Sequence, residues 1–359
     1  MRAAVLAGPK SLTVEGVPCP RPEPGEVLVR VMATAICGTD VAVYAGKYPV
    51  TYPLIPGHES SGVVAEVGEG VVGVVPGDRV VLNSLVFCGF CRWCRRGDTS
   101  LCVNGGLLGR ERAGTFAEYV AVRDSQCHRL PADMTFVDAT NLAVLATVVR
   151  AQRRAHVSPG MSVVVIGQGV SGLLHTQLAR AAGAVPVIGI SRSQWKLELA
   201  LKLGAHRTMS AHDEGVVAAV RAETEGGPDL VIDTVGTGET MRLALDMVGR
   251  GGTVLAFGVD PGPVSSLSTF TLYDKELRVL GSRAQTALDI ELAIKAVKGG
   301  AVDIKCLTTH RHGLDELPRV MQRQMVKPEG LRTVIEIGEA GSCQDRRPAK
   351  EVERRCGGC

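Results

Sequence analysis

The sequence predicts an α/β protein: a β-rich first third followed by a doubly wound parallel sheet. Three observations carry this. The first third is rich in Gly, Pro and Val and breaks into short β-branched runs between turn residues, as an all-β domain does. From about Val144, strand-like apolar runs alternate with stretches of helical periodicity, the pattern of βαβ units. One strand–helix junction also carries Gly167-Gln-Gly-Val-Ser-Gly172, a glycine-rich turn opening a helix.

The first strands are read in "EVLVRVMA", "SGVVAEVG", "DRVVLNS" and "FAEYVAV". "LATVVRAQRRAHV" reads as a helix, "MSVVVIG" as a buried strand and "VSGLLHTQLARAAGA" as the helix after it. "VPVIGIS", "QWKLELALKLGA", "PDLVIDTVG", "TMRLALDMV", "GGTVLAFGV" and "LRVLGS" continue the alternation. "ALDIELAIKAVKGG" then gives a helix and "LRTVIEI" a closing strand. The end, "GEAGSCQDRRPAKEVERRCGGC", has almost no apolar residues and reads as disordered. Its Cys356-x2-Cys359 pair lacks the βαβ setting of a redox motif.

At 359 residues the chain has room for about two domains. Apolar residues make up 45% and charged residues 21%, and the net charge of +3 is spread along the chain. Roles on nucleic acid or a membrane surface call for a concentrated basic face, which the short basic runs do not supply. The first residues, "MRAAVLAGPKSLTVEG", lack the apolar core of a signal peptide. No window approaches the roughly 18 apolar residues of a membrane helix. The expectation is a cytoplasmic protein with reduced thiols, so eleven cysteines point to metal or catalysis before disulfides.

The strongest motif is Cys88-x2-Cys91-x2-Cys94-x7-Cys102. Four thiolates at such spacing close a tetrahedral shell on Zn²⁺, the mark of a structural site. Arg92, Arg95 and Arg96 are expected to favour the thiolate form. In the glycine-rich turn, Gly167 permits the tight bend, Gly169 lets backbone approach a pyrophosphate, and Gly172 allows close helix–strand packing. The helix N-terminus at Val170 offers free N–H groups to the phosphates. An NAD site carries an acid about 20 residues on, for the ribose 2′-OH. Here Ser191 stands nineteen residues past Gly172, with Arg192 next and Lys196 one turn on. A missing acid and a gained arginine favour the 2′-phosphate of NADP(H).

Cys37, in "ICGTDVAVY", reads on its own as a small buried hydrophobe. Further along, Gly57–Val72 carries G-H-E-x2-G-x5-G-x2-V. With the four-cysteine lobe, "GTFAEYV" and the later fingerprint in this order, the chain resembles the zinc-containing medium-chain dehydrogenases of alcohols, polyols and threonine over about residues 1–338. The resemblance implies a GroES-like catalytic domain interrupted by an inserted Rossmann domain. The expected boundaries are 1–147 catalytic, 148–282 NADP-binding, 283–339 returning to the catalytic domain, and 340–359 a disordered tail.

The same resemblance makes Cys37, His58 and Glu59 ligands of a catalytic zinc with an open fourth position. It gives Asp40 the task of holding the histidine ring, and Thr39 the first hydroxyl of a proton relay. Gly62 and Gly68 become turn residues, and Arg332 faces the cofactor pyrophosphate. His310 and His312 fall in a connecting loop. A homodimer or homotetramer is implied, acting on a small alcohol or carbonyl compound. Two departures stand out. Asn141–Leu145 has no Cys, Asp or Glu to serve as a further ligand, and Ala42 replaces a relay histidine. They keep open a reductase of an activated C=C bond, or a non-catalytic nucleotide-binding protein, with an empty catalytic metal site.

Overall fold

The β-branched runs of the first third form the expected strands. The computed structural model describes residues 1–260, 262, 268–327 and 329–338; the 340–359 tail, with Cys356 and Cys359, lies outside them. Two units divide the chain: residues 1–88, 104–140 and from 308 on form one, and 89–103 with 141–307 form the other.

The first unit is organised on Glu26–Ala35, which pairs antiparallel with Glu59–Val67 along one edge. Its other edge carries Tyr119–Arg123 near the beginning and Arg332–Glu336 near the end. Val27, Val29, Val31, Leu82 and Phe116 fill the core with almost no exposure. Gly62 is not a turn residue, whereas Gly68 opens the turn that the Val71 N–H closes on its carbonyl at 3.5 Å. Gly62 lies within the strand Glu59–Val67, and a Cβ there would meet the Arg30 carbonyl oxygen at 2.2 Å. A Cβ at Gly68 would meet that of Glu23 at 2.2 Å. Close backbone approach selects glycine at both.

In the second unit six parallel strands run in the order Arg207–Ser210, Val187–Ser191, Val163–Ile166, Leu230–Asp233, Thr253–Ala256, Arg278–Gly281. Numbered along the chain this is 3-2-1-4-5-6, the doubly wound arrangement whose order reverses beside the first strand. The central strands are buried on both faces, which is why "VVVI" and "LVID" read as continuous apolar runs.

The chain passes between the units at 88/89, 103/104, 140/141 and 307/308, whereas the sequence reading sets 147/148 and 282/283 and keeps 89–103 in the first domain. The helix Ala287–Lys298 accounts for the second difference. Its Asp289 takes an ion pair from Arg153 at 2.5 Å, and Ile290, Ala293 and Ile294 are buried, so it stays with the parallel-sheet unit. His310 and His312 lie on the strand Thr308–Gly313, which ends the first unit's sheet, and not in a connecting loop. No helix of the described residues is long and apolar enough to cross a membrane.

Candidate metal centres and cofactor turn

Strand register assembles the first site. Ala35 stands opposite Glu59 in the antiparallel pair. Cys37, two residues past one strand, therefore comes beside His58 and Glu59, which open the other. Each offers a ligand atom, and these atoms all lie within 4.8 Å of one another. Among the described residues no fourth His, Cys, Asp or Glu joins them.

Asp40 ties this corner together. It is the third residue of the helix Gly38–Tyr44 and is 1% exposed. Its Oδ2 accepts the Cys37 N–H at 2.8 Å, and its Oδ1 accepts the Gly57 N–H at 3.1 Å. The same Oδ1 lies 3.1 Å from His58 Nδ1. With Nδ1–H donated to Asp40, Nε2 is the nitrogen left for a metal. Burial disfavours a cationic His58, yet the neighbouring Asp40 and Cys37 outweigh it and hold its pKa well above the usual value. The corner favours positive charge at His58, and a metal ion competes with the proton for it. One thiol, one imidazole and one carboxylate suit zinc.

Arg332 does not stand free. The strand it opens pairs antiparallel with Glu26–Ala35, Val334 opposite Ala35, and that register carries Arg332 to Glu59. Its Nη2 donates to Glu59 Oε2 and to the Thr140 carbonyl, the latter at 3.3 Å. Both side chains of the ion pair are nearly sealed from solvent. The expected partner of Arg332 is a pyrophosphate; its observed partner is a carboxylate of the ligand set. Thr39 is half-buried in the first helical turn, and Ala42 presents only a methyl group there.

The four-cysteine lobe brings its sulfurs within 4.8 Å of one another. Cys91 Sγ lies 3.5 Å from Cys94 Sγ and 4.0 Å from Cys102 Sγ. Zn–S bonds of about 2.3 Å at tetrahedral angles place sulfurs about 3.8 Å apart, so the spacing fits zinc. All four cysteines are unbridged. The Cys91 thiol is lowered by backbone and side-chain hydrogen bonds rather than by the arginines. The Cys94 backbone N–H leads the groups that lower the Cys91 thiol to about 6, while Arg92 and Arg96 lie over the Trp93 ring at 4.5 and 5.6 Å.

The glycine-rich turn follows Val163–Ile166 directly, at the strand where the sheet order reverses. Gly167 has φ +87°, and a Cβ on Gly172 would sit 1.8 Å from the Gly167 carbonyl oxygen. A Cβ on Gly169 would meet nothing, which leaves open space before the N-terminus of the helix Val170–Ala181. That is a cradle for a phosphate. At the end of the next strand, Ser191 is mostly buried and its hydroxyl accepts the Ser193 N–H at 3.3 Å. Arg192 is exposed, and Lys196 is half-buried over Trp195. Burial first, and Arg192 second, lower the Lys196 pKa, so two cations crowd one another here.

The reach of Asp40 to two backbone N–H groups was not read from sequence. The signal was present, since Cys37-x-x-Asp40 has the spacing of an N-cap followed by an acid three residues on.

Residues 23–132 match the alcohol dehydrogenase GroES-like domain, and residues 171–299 match the zinc-binding dehydrogenase family. A sorbitol dehydrogenase of Halalkalibacterium halodurans is 33% identical over 302 residues, 83% of this chain and 88% of that protein. An L-threonine 3-dehydrogenase of Caldanaerobacter subterraneus subsp. tengcongensis is 33% identical over 327 residues, 88% of this chain and 92% of that protein. A zinc-binding dehydrogenase from Sinorhizobium meliloti, solved bound to NADP, superposes with a TM-score of 0.88 at 34% identity, covering 94% of this chain and 99% of the other.

Proposed function

Because the chain belongs to the zinc-containing medium-chain dehydrogenase/reductases, we propose that it interconverts a small-molecule alcohol and its aldehyde or ketone with NADP(H). The observation that carries the reading is the Cys37–His58–Glu59 donor set with Asp40 on the imidazole. Zinc held there supplies Lewis acidity to the substrate oxygen, and the nicotinamide cofactor supplies or accepts the hydride. Cys37 and His58 bind, and Asp40 orients both through its bonds to the Cys37 N–H and the His58 ring. Thr39 would hydrogen-bond the substrate oxygen and its developing alkoxide, with solvent supplying the proton taken up in reduction and receiving the one released in oxidation. Ala42 has no group to take part in a proton relay.

NADP(H) is favoured over NAD(H) by Arg192 and Lys196 together with the absence of an acid at Ser191. The outer edge of Arg278–Gly281, the last strand of the parallel sheet, with Val279 47% exposed, supports a homo-oligomer. A second reading draws on Glu59 itself. Arg332 occupies Oε2 of Glu59 and neutralises its charge, leaving Oε1 as the carboxylate's ligand atom and weakening its pull on a cation. A metal-free reductase of an activated C=C bond needs no metal ligand at this corner.

Zinc per chain, measured by elemental mass spectrometry on protein purified without a metal-binding tag, decides between them. A value of about two, one for each set, with NADPH consumed on an aldehyde panel, is the expected result. A value of about one, unchanged by added zinc and joined to turnover of enones alone, overturns the alcohol dehydrogenase reading.

A further inference from the structure

Cys19 departs from the expectation of reduced thiols: its sulfur is in a disulfide. The other cysteines of the described residues are thiols. Its partner is therefore one of Cys343, Cys356 and Cys359, which lie outside the described residues. A disulfide in a chain whose other described cysteines stay reduced fits a reversible, redox-sensing bond rather than a structural framework.

The setting of Cys19 narrows the choice. Pro18 and Pro20 hold it in a stiff segment between two strands, and the following proline keeps Cys19 itself extended. It is half-buried on the wall of a groove of about 570 Å³ in the first unit, lined also by Val17, Pro20, Tyr119 and Val122. The closing strand aims the chain at this groove. Glu336 stands opposite Ala33, and the Ile337 N–H donates to the Met32 carbonyl at 3.1 Å. The chain thus leaves the sheet running back along Glu26–Ala35 toward Arg30, whose partner across the sheet is Tyr119. Cys343 follows Gly338 by five residues, a reach of up to about 17 Å. Cys356 and Cys359 would close longer loops, at greater entropic cost. The residues just before Cys343 are Ala340, Gly341 and Ser342, small enough to lie in a groove beside Tyr119. We propose that residues 339–343 dock in this groove and that a Cys19–Cys343 disulfide latches them there. In forming it the two thiols give two electrons and two protons to a low-molecular-weight disulfide, which leaves as two thiols. Excess thiol runs the exchange backwards and frees the segment.

The test is a peptide map of the zinc-loaded protein equilibrated with oxidised glutathione, its remaining thiols alkylated, and digested with trypsin without reduction. Cleavage puts Cys19 in Ser11–Arg30, Cys343 in Thr333–Arg346, and the last two cysteines together in Cys356–Cys359. The expected result is Ser11–Arg30 joined to Thr333–Arg346, lost on reduction and retained in C356S/C359S. In C343S that species is lost, and Cys19 is found alkylated or carrying glutathione. Ser11–Arg30 joined instead to Cys356–Cys359 in the unaltered chain overturns the proposal. So does Ser11–Arg30 joined to a second copy of itself, which would make the bond one between chains. Complete alkylation of Cys19 in the unaltered, glutathione-treated chain overturns it as well.

Discussion

Asp40 Oδ1 stands 3.1 Å from His58 Nδ1 while Asp40 Oδ2 holds the Cys37 N–H at 2.8 Å, so one carboxylate sets the posture of two residues of the donor set. An Asp40→Asn side chain has the same shape but one acceptor oxygen, and its amide opposes an N–H on the other side. Partners of this kind are worth about 10–100-fold in metal affinity. Zinc affinity of the Cys37 site is expected to fall by that factor, read by chelator competition, with the four-cysteine lobe still filled. Equal affinity in the variant would remove Asp40 from the site.

Arg332 and Glu59 form a buried ion pair, and removing one partner of such a pair costs about 3–5 kcal/mol because the other charge is left unanswered. Arg332→Met is expected to lose stability of that order in urea unfolding of the metal-depleted chain. Glu59→Gln combined with Arg332→Met is expected to recover part of it, since neither charge remains. The NADP(H) dissociation constant should hardly move. A variant that keeps its stability and loses cofactor affinity would return Arg332 to the pyrophosphate.

The contrast between Asp40 and Arg332 shows what was legible in the sequence. Ligand types and local spacing could be read: Cys88–Cys102 lies within one short lobe, and Gly167–Gly172 within one turn. Cys37 and His58 came into view only through resemblance, because what joins them is the register Ala35↔Glu59, a non-local fact. Arg332 lies 273 residues from Glu59, and no periodicity links a closing strand to a ligand set in that way. The same limit misplaced Ala287–Lys298, whose amphipathic pattern fits packing against either unit until Asp289 and Arg153 choose one.

His175 makes acid stability a second readout of the parallel-sheet unit. It is fully buried on the helix Val170–Ala181, edge-on to Phe257 at 4.6 Å, with Gln152 Nε2 at 3.2 Å from Nδ1. Burial pushes its pKa down to about 3, against about 6.5 in the unfolded chain. Below pH about 6.5 the unfolded state therefore takes up a proton that the folded state refuses. Its stabilising effect is full above that pH and is lost as pH falls toward about 3, by up to about 1.4 kcal/mol per pH unit. His175→Gln should flatten the slope of unfolding free energy between pH 7 and 5 by about one proton. An unchanged slope would show that His175 titrates normally.

The proposed preference for NADP(H) rests on two cations and one missing acid, so restoring the acid should reverse it. Ser191 ends the second strand of the parallel sheet, the position from which a carboxylate grips a ribose 2′-OH. Ser191→Asp would set a negative charge beside a 2′-phosphate and give an adenosine ribose an acceptor. Arg192→Ala would remove one charge-assisted contact worth about 1.5–3 kcal/mol, at least about tenfold in affinity. NADPH and NADH dissociation constants from nucleotide fluorescence quenching measure both effects without requiring a known substrate. Arg192→Ala is expected to weaken NADPH by at least about tenfold and leave NADH unchanged. Ser191→Asp with Arg192→Ala should bind NADH more tightly than NADPH. Parallel loss of both cofactors in Arg192→Ala would mean that Arg192 holds something the two share, such as the adenine or the pyrophosphate. The absence of an acid at Ser191 would then say nothing about the 2′-phosphate.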